Sequence, residues 1–270
     1  MQIPKTTMAD WSFLRRAFYR LARFIVPRFI RAFFRYEAHQ LEDGNVFPEG
    51  TPVIFCMNHQ SHLDALILAS ALAAPYGSRT QVAMMASGKA MRSSWFFGLM
   101  RFLGAFPVFP ENPEPALAYA RKSLKRGLGV VIAPQGKRIR STPYHDYFNL
   151  TKEGKSGVGR LVLAFNGKVP VIPAYIRGSA EALSQGGIIP RFGSPISVSF
   201  GPPMYWSEYT RRDGWKQTDS DFFSTAREIV DKIMGRIRDQ LLIQEKDFFA
   251  LFEQKFGKKI NEISNPDDRS

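Results

Sequence analysis

The segment Asn58-His59-Gln60-Ser61-His62-Leu63-Asp64 holds the residues whose types and spacing point most directly to chemistry. A His that ends a strand and an Asp one turn into the following helix can approach each other. The carboxylate then fixes the imidazole tautomer and raises its basicity. Such a pair deprotonates a hydroxyl near neutral pH and contributes about 10²- to 10⁴-fold in rate. The surroundings meet this requirement, because the apolar run at 52–57 reads as a buried strand and a helical pattern follows at 63–74. The C-terminal ends of such strands are where α/β enzymes place reactive groups. Ser61 is positioned to cap the helix, with Asp64 as its third residue, where a carboxylate is favoured.

The elements that must hold this segment follow from the periodicity. Short apolar runs at 52–57, 81–85, 130–133, 169–176 and 196–200 read as strands, and 63–74, 89–102, 115–126 and 154–165 read as helices. Strand and helix alternate, which predicts an α/β fold with a mostly parallel central sheet flanked by helices. A linker at 42–51, rich in Gly, Pro and acids, divides an N-terminal segment, 1–40, from the α/β core, 41–218. The remaining segment, 219–270, reads as amphipathic helix packed on or beside the core, with Ile229, Ile233, Ile237 and Leu241 on one packing stripe.

The N-terminal segment has its own character. Between positions 11 and 35, seven arginines are interleaved at helical spacing with Phe13, Leu14, Phe18, Leu21, Ile25, Phe29, Ile30 and Phe33, and Pro27 is expected to kink or divide the helix. Aromatics on one face and arginines on the other fit an amphipathic helix at the membrane interface, each cation near an anionic surface adding about 1 kcal/mol. The competing expectation is a helix packed only on its own domain.

Composition bounds the choices. The chain has 270 residues, a net charge of +13, 44% hydrophobic and 23% charged residues, which excludes wholesale disorder and collagen-like chains. A single Cys excludes an intrachain disulfide and argues against a cysteine metal cluster. With four His and no second ligand cluster, His62 beside His59 and Asp64 is not expected to form a metal site. The pI of about 10.0 and 23 Phe suggest an anionic surface, either membrane or nucleic acid. No run of 18 apolar residues predicts a transmembrane helix, and the first ten residues do not read as a signal peptide.

Beyond the His-x4-Asp segment, three stretches follow in order: Gly104-Ala105-Phe106-Pro107-Val108, Pro134-Gln135-Gly136-Lys137-Arg138, and Val169-Pro170-Val171-Ile172-Pro173. In order and spacing they resemble the four sequence blocks of the glycerolipid acyltransferases, the glycerol-3-phosphate and lysophosphatidic acid acyltransferases and their relatives. The resemblance spans about 53–178. It implies a membrane-associated O-acyltransferase of phospholipid synthesis, moving a fatty acyl group from acyl-CoA or acyl carrier protein to the hydroxyl of a lysophospholipid such as 1-acylglycerol-3-phosphate. His59 would be the general base and Asp64 its orienting partner, with no covalent acyl-enzyme and no cofactor. Gly136 and Arg138 would lie near the acceptor's phosphate, and Pro173 would shape the site wall. Asn58, Ser61, Lys137 and Arg140 complete the expected substrate-binding set. The implied partners are an anionic lipid surface, the lysolipid and the thioester donor, with no nucleic acid. The implied location is peripheral, on the cytoplasmic face of a membrane.

Two departures from the family pattern stand out. Phosphate-accepting members usually carry an Arg where this chain has Pro110, and the usual Pro-Glu-Gly-Thr-Arg is here Pro-Gln-Gly-Lys-Arg. Losing the Arg removes a bidentate phosphate clamp. Either Lys137, Arg138 and Arg140 replace it, or the acceptor is a glycolipid or amino lipid without a phosphate monoester.

Other patterns are decoys. Gly154-Lys155-Ser156 lacks the rest of a P-loop but could still meet an anion with Lys152, and no Gly-x-Ser-x-Gly elbow occurs. Cys56 reads as core. The stretch 90–109, with Met91, Trp95, Phe96, Phe97, Leu99, Met100, Phe102, Leu103 and Phe106, reads equally as acyl-chain groove or ordinary core. The non-enzyme alternative is a basic membrane- or nucleic-acid-binding protein on an inactive acyltransferase scaffold, and no recognisable nucleic-acid motif supports the latter partner.

Overall fold

A computed structural model describes residues 13–39, 50–76, 81–93, 100–138, 143–152, 154–183, 189–245, 249–250 and 253–254. Its strands are β1 (Arg35–His39), β2 (Ile54–Met57), β3 (Val82–Ser87), β4 (Ala105–Val108), β5 (Gly129–Ile132), β6 (Val171–Arg177) and β7 (Pro195–Phe200). They form one sheet in the order β1-β7-β6-β2-β5-β3-β4, parallel at every pairing except β6 with β7. The five strands expected from apolar runs are present within a few residues, and β1 and β4 add an edge at each side.

The helices are α1 (Phe13–Phe33), α2 (Asp64–Tyr76), α3 (Gly88–Ser93), α4 (Glu114–Lys125), α5 (Pro143–Thr151), α6 (Gly157–Ala164), α7 (Ser179–Ala182) and α8 (Phe222–Gln244). Both faces of the central strands are covered, which is why β2 and β5 are buried at every residue and read as continuous apolar runs. Ile54, Cys56, Val130, Ile132 and Val171 turn to one face, where α4, α6 and α8 pack. Phe55, Met57, Val131, Ile172 and Ala174 turn to the other, against Ile30 of α1 and Leu68 and Leu72 of α2. The Ile229, Ile233, Ile237 and Leu241 stripe of α8 is fully buried, as its spacing predicts.

Helix α1 runs through Pro27 as one element instead of dividing there. Proline removes the donor for the Arg23 carbonyl, four residues earlier, and beside it Arg28 Nη1 donates to the next carbonyl, Phe24 O, at 2.9 Å. Pro27 also lies on the helix's buried stripe with Tyr19, Arg23 and Ile30, so tertiary packing holds the turn together. Tyr19 anchors this face by accepting the Val82 N–H at 3.0 Å. Among the described residues, no helix is long and apolar enough to cross a membrane. The helix expected at 89–102 is represented by α3 and a 3₁₀ turn, Arg101–Leu103; residues 94–99 lie outside the described ones.

Candidate active site

The site is built where β2 leaves the sheet. Met57 pairs with Ala174 of β6, and the Asn58 side chain then continues the ladder in place of a peptide group. Its Oδ1 accepts the Ile176 N–H at 2.8 Å and its Nδ2 donates to Ile176 O at 2.9 Å. The main chain is thereby free to turn. His59 N donates to Gln135 Oε1 at 2.9 Å, and His59 Nδ1 lies 2.8 Å from Asp64 Oδ2.

Asp64 is fully buried, and the same Oδ2 accepts the N–H groups of Gln60 at 2.7 Å and Ser61 at 2.9 Å. One carboxylate oxygen thus holds both the loop and the ring, and charge-assisted bonds of this kind are about twice as strong as neutral ones. With Nδ1–H donated to Asp64, Nε2 is the nitrogen that can accept a proton. His59 lines a cavity of about 600 Å³. Helix α2 begins at Asp64, so this residue is its first and not its third. Ser61 caps a turn just before it, accepting the Leu63 N–H on Oγ at 3.3 Å and donating to Leu183 O.

A second loop meets this one. Gly136 has a φ of +69°, and a Cβ there would lie 2.7 Å from Lys155 Cγ. Lys155 N donates to Pro134 O at 2.8 Å, which ties the 134–138 loop to the entrance of α6. Lys137, Arg138 and Lys155 are thus gathered on the cavity that His59 lines. His62 lines it too and is partly buried. Its pKa is lowered to about 4 by burial first, then by the charges of Arg138 and His59, so it is neutral at neutral pH.

Of the expected substrate-binding residues, Gly136, Lys137 and Arg138 line the cavity, and Arg140 lies outside the described residues. Asn58 and Ser61 are buried and spend their polar atoms on the protein itself. Pro173 is buried within β6, paired with Cys56. These three are buried in the protein and do not line the cavity. The apolar stretch divides: Met91, Met100 and Leu103 line the cavity, Phe106 packs in the core with its ring 4.6 Å from Tyr119, and Trp95, Phe96, Phe97, Leu99 and the Phe102 side chain lie outside the described residues. Cys56 is core, its thiol pKa pushed up by burial.

Two residues of this region meet their partners across long stretches of sequence. Asp146 of α5 reaches Asn58 and Gln60 across more than eighty residues. Arg160 of α6 is more than nine-tenths buried, lines the cavity and pairs with Glu114. An arginine within the otherwise apolar Gly-Val-Gly-Arg-Leu-Val run was the one visible irregularity.

An imidazole held by a buried carboxylate, on an apolar cavity with cations on it, suits removal of a proton from the hydroxyl of an amphiphile that carries negative charge. Comparison with known proteins identifies the family. The acyltransferase family's sequence pattern matches residues 39–177, just over half of the 270, and the chain belongs to that family. It is similar to a probable 1-acyl-sn-glycerol-3-phosphate acyltransferase of Mycoplasma pneumoniae, 28% identical over 59% of this chain and 60% of the relative, so the match leaves two-fifths of that relative's length uncovered. The 1-acyl-sn-glycerol-3-phosphate acyltransferase of Bacillus subtilis is 26% identical over 55% of this chain and 69% of the relative. Among solved structures, the 1-acyl-sn-glycerophosphate (LPA) acyltransferase PlsC from Thermotoga maritima aligns over 83% of this chain and 81% of its own, with a TM-score of 0.49 and 17% identity.

Proposed function

We propose that the protein is a peripheral membrane O-acyltransferase that transfers a fatty acyl group from an acyl-CoA or acyl carrier protein thioester to the free hydroxyl of a lysophospholipid resembling 1-acylglycerol-3-phosphate. The observation that carries this reading is the 2.8 Å bond from His59 Nδ1 to Asp64 Oδ2, with His59 on the wall of an apolar cavity. His59 Nε2 takes the hydroxyl proton as the acceptor oxygen attacks the thioester carbonyl. The tetrahedral intermediate collapses with loss of the thiolate, which recovers that proton from the imidazolium. No covalent enzyme intermediate and no cofactor enters the cycle. The acyl chain lies among Leu66, Met84, Met91, Met100 and Leu103, where flexible thioethers accommodate an alkyl chain. Lys137, Arg138 and Lys155 face the acceptor's phosphate. The outward side of α1 rests on an anionic bilayer, on the side that the thioester donor reaches.

One observation favours a second acceptor class: Pro110, which lines the cavity, carries no charge where phosphate-accepting members usually have Arg. That acceptor would be a lipid without a phosphate monoester. The test is acyl transfer in micelles from a labelled long-chain thioester to a panel of lysolipids, read by mass spectrometry, with wild type and His59→Ala. The expected result is transfer to 1-acylglycerol-3-phosphate and a loss of about 10²-fold or more in His59→Ala. Undiminished transfer by that variant would rule out the base.

A further inference from the structure

Beneath the His59 loop lies a second buried carboxylate that the acyl-transfer chemistry described above does not use. Asp146 belongs to α5 and is fully buried. Its Oδ2 accepts from Asn58 Nδ2 at 3.0 Å and from Gln60 Nε2 at 2.7 Å, the side chains that flank His59 on either side. Burial, and then the charge of this carboxylate, push the hydroxyl of Tyr175 in β6 well above its ordinary pKa.

Asn58 and Gln60 both reach one Asp146 oxygen beneath the loop, and of residues 58, 59 and 60 only His59 lines the cavity. Asp64 holds the ring and the N–H groups of residues 60 and 61 from within the loop. Asp146 holds the side chains of residues 58 and 60 from below. A carboxylate is costly to bury, and a single ionic acceptor shared by two amides offsets that cost with directional, charge-assisted bonds.

We propose that Asp146 is a positioning residue for acyl transfer, whose capture of Asn58 and Gln60 on one oxygen presents His59 to the cavity, so that the docking of α5 completes the active site. This rests on His59 being the general base. Asp146 touches no substrate and acts through its two neighbours on the loop.

The test uses full-length Asp146→Asn, Asp146→Ala, Gln60→Met, His59→Ala and the His59→Ala/Asp146→Asn double variant, assayed with whichever thioester the wild type accepts and with thermal melts alongside. Asp146→Asn is expected to melt cooperatively and to lose about tenfold or more in kcat, with both KM values within about threefold of wild type. Gln60→Met, which removes one donor from the same oxygen, is expected to show the same loss in kcat alone. In the His59→Ala background, Asp146→Asn is expected to cost nothing further, because residues that act as one unit are not additive. Wild-type kcat in a folded Asp146→Asn, or a loss that adds in full to that of His59→Ala, overturns the proposal. If neither Asp146 variant folds, Gln60→Met decides: undiminished kcat there assigns Asp146 to the fold alone. Retained activity in His59→Ala would instead sink the proposed base, an outcome distinct from any of these.

Discussion

Arg160 pairs with Glu114, the residue after the cavity-lining Pro113, and it lines the same cavity as Pro110. Pro110 stands where the family resemblance leads one to expect an arginine, and α6 brings the buried Arg160 guanidinium to the same cavity. Buried more than nine-tenths, with the Phe223 ring 5.5 Å from its guanidinium, Arg160 is more preorganised than an exposed lysine. Arg160→Ala is expected to raise KM for 1-acylglycerol-3-phosphate by about tenfold or more, since a hydrogen bond to a charged group contributes about 1.5–3 kcal/mol. A monoacylglycerol acceptor should be unaffected, and Arg160→Lys should recover part of the loss. Equal effects on both acceptors would assign Arg160 to holding Glu114.

The contact between Gly136 and Lys155 supports a prediction with an internal control. Gly136→Ala meets two obstacles, a φ of +69° and a Cβ placed 2.7 Å from Lys155 Cγ. Gly193 has a similar φ of +79° but open space around it. Backbone strain of about 1–2 kcal/mol applies to both substitutions, lowering Tm by a few degrees. Only Gly136→Ala should also displace the Lys155 stem and raise KM for the phosphate-bearing acceptor. Matching kinetics in the two variants would show that Lys155 adjusts without cost.

His62 makes stability depend on pH in a defined direction. Its folded pKa of about 4 lies below the ordinary 6.5, chiefly through burial and then through Arg138 and His59. The unfolded chain therefore binds more protons between those values, and stability falls as pH drops from 6.5 toward 4. His62→Gln removes this contribution, so Tm measured from pH 7 down to pH 4 should fall less steeply than in wild type. An unchanged slope would place the dependence on other groups.

How much of this was legible in the sequence depended on separation along the chain. The His59–Asp64 pair spans five residues, and the strands β2, β3, β5, β6 and β7 announce themselves as apolar runs, since most of their residues are buried on both sides. The edge strands β1 and β4 did not. Arg35–His39 alternates exposed with partly buried residues, and Ala105–Val108 contains Pro107, which an edge tolerates and a central strand does not. Asp146 and Arg160 meet their partners at separations of 88 and 46 residues, a relation that no local pattern encodes. At Pro27 the sequence predicts a kink or a division; the helix does not divide, and the α2 packing that keeps α1 one element is invisible in α1 itself.

The outer face of α1 is the surface on which the membrane reading stands or falls. Phe13, Leu14, Leu21, Phe24 and Ile25 are each at least half exposed, an unusual loss of burial for apolar side chains in a chain with this much core. At the other end of the helix, Phe29 and Phe33 meet Phe192 from the loop before β7, with ring centroids 6.4 and 5.0 Å apart, and all three remain exposed. Exposed arginines 16, 20, 28 and 31 run alongside, and Arg191 adjoins Phe192. Apolar rings flanked by cations suit insertion among anionic headgroups, with each charge contributing about 1 kcal/mol. Cosedimentation with phosphatidylglycerol-containing vesicles should therefore weaken between 50 and 500 mM salt. Replacing Arg16 and Arg20 together with Glu should lower partitioning by roughly thirtyfold or more, which corresponds to the loss of about 2 kcal/mol. Leu21→Ser with Phe24→Ser should weaken binding at every salt concentration, because the lost term is apolar. Phe192→Ser tests whether the loop enters the lipid with the helix. If it does, binding falls; if binding is untouched by all three changes, another surface of the protein meets the membrane.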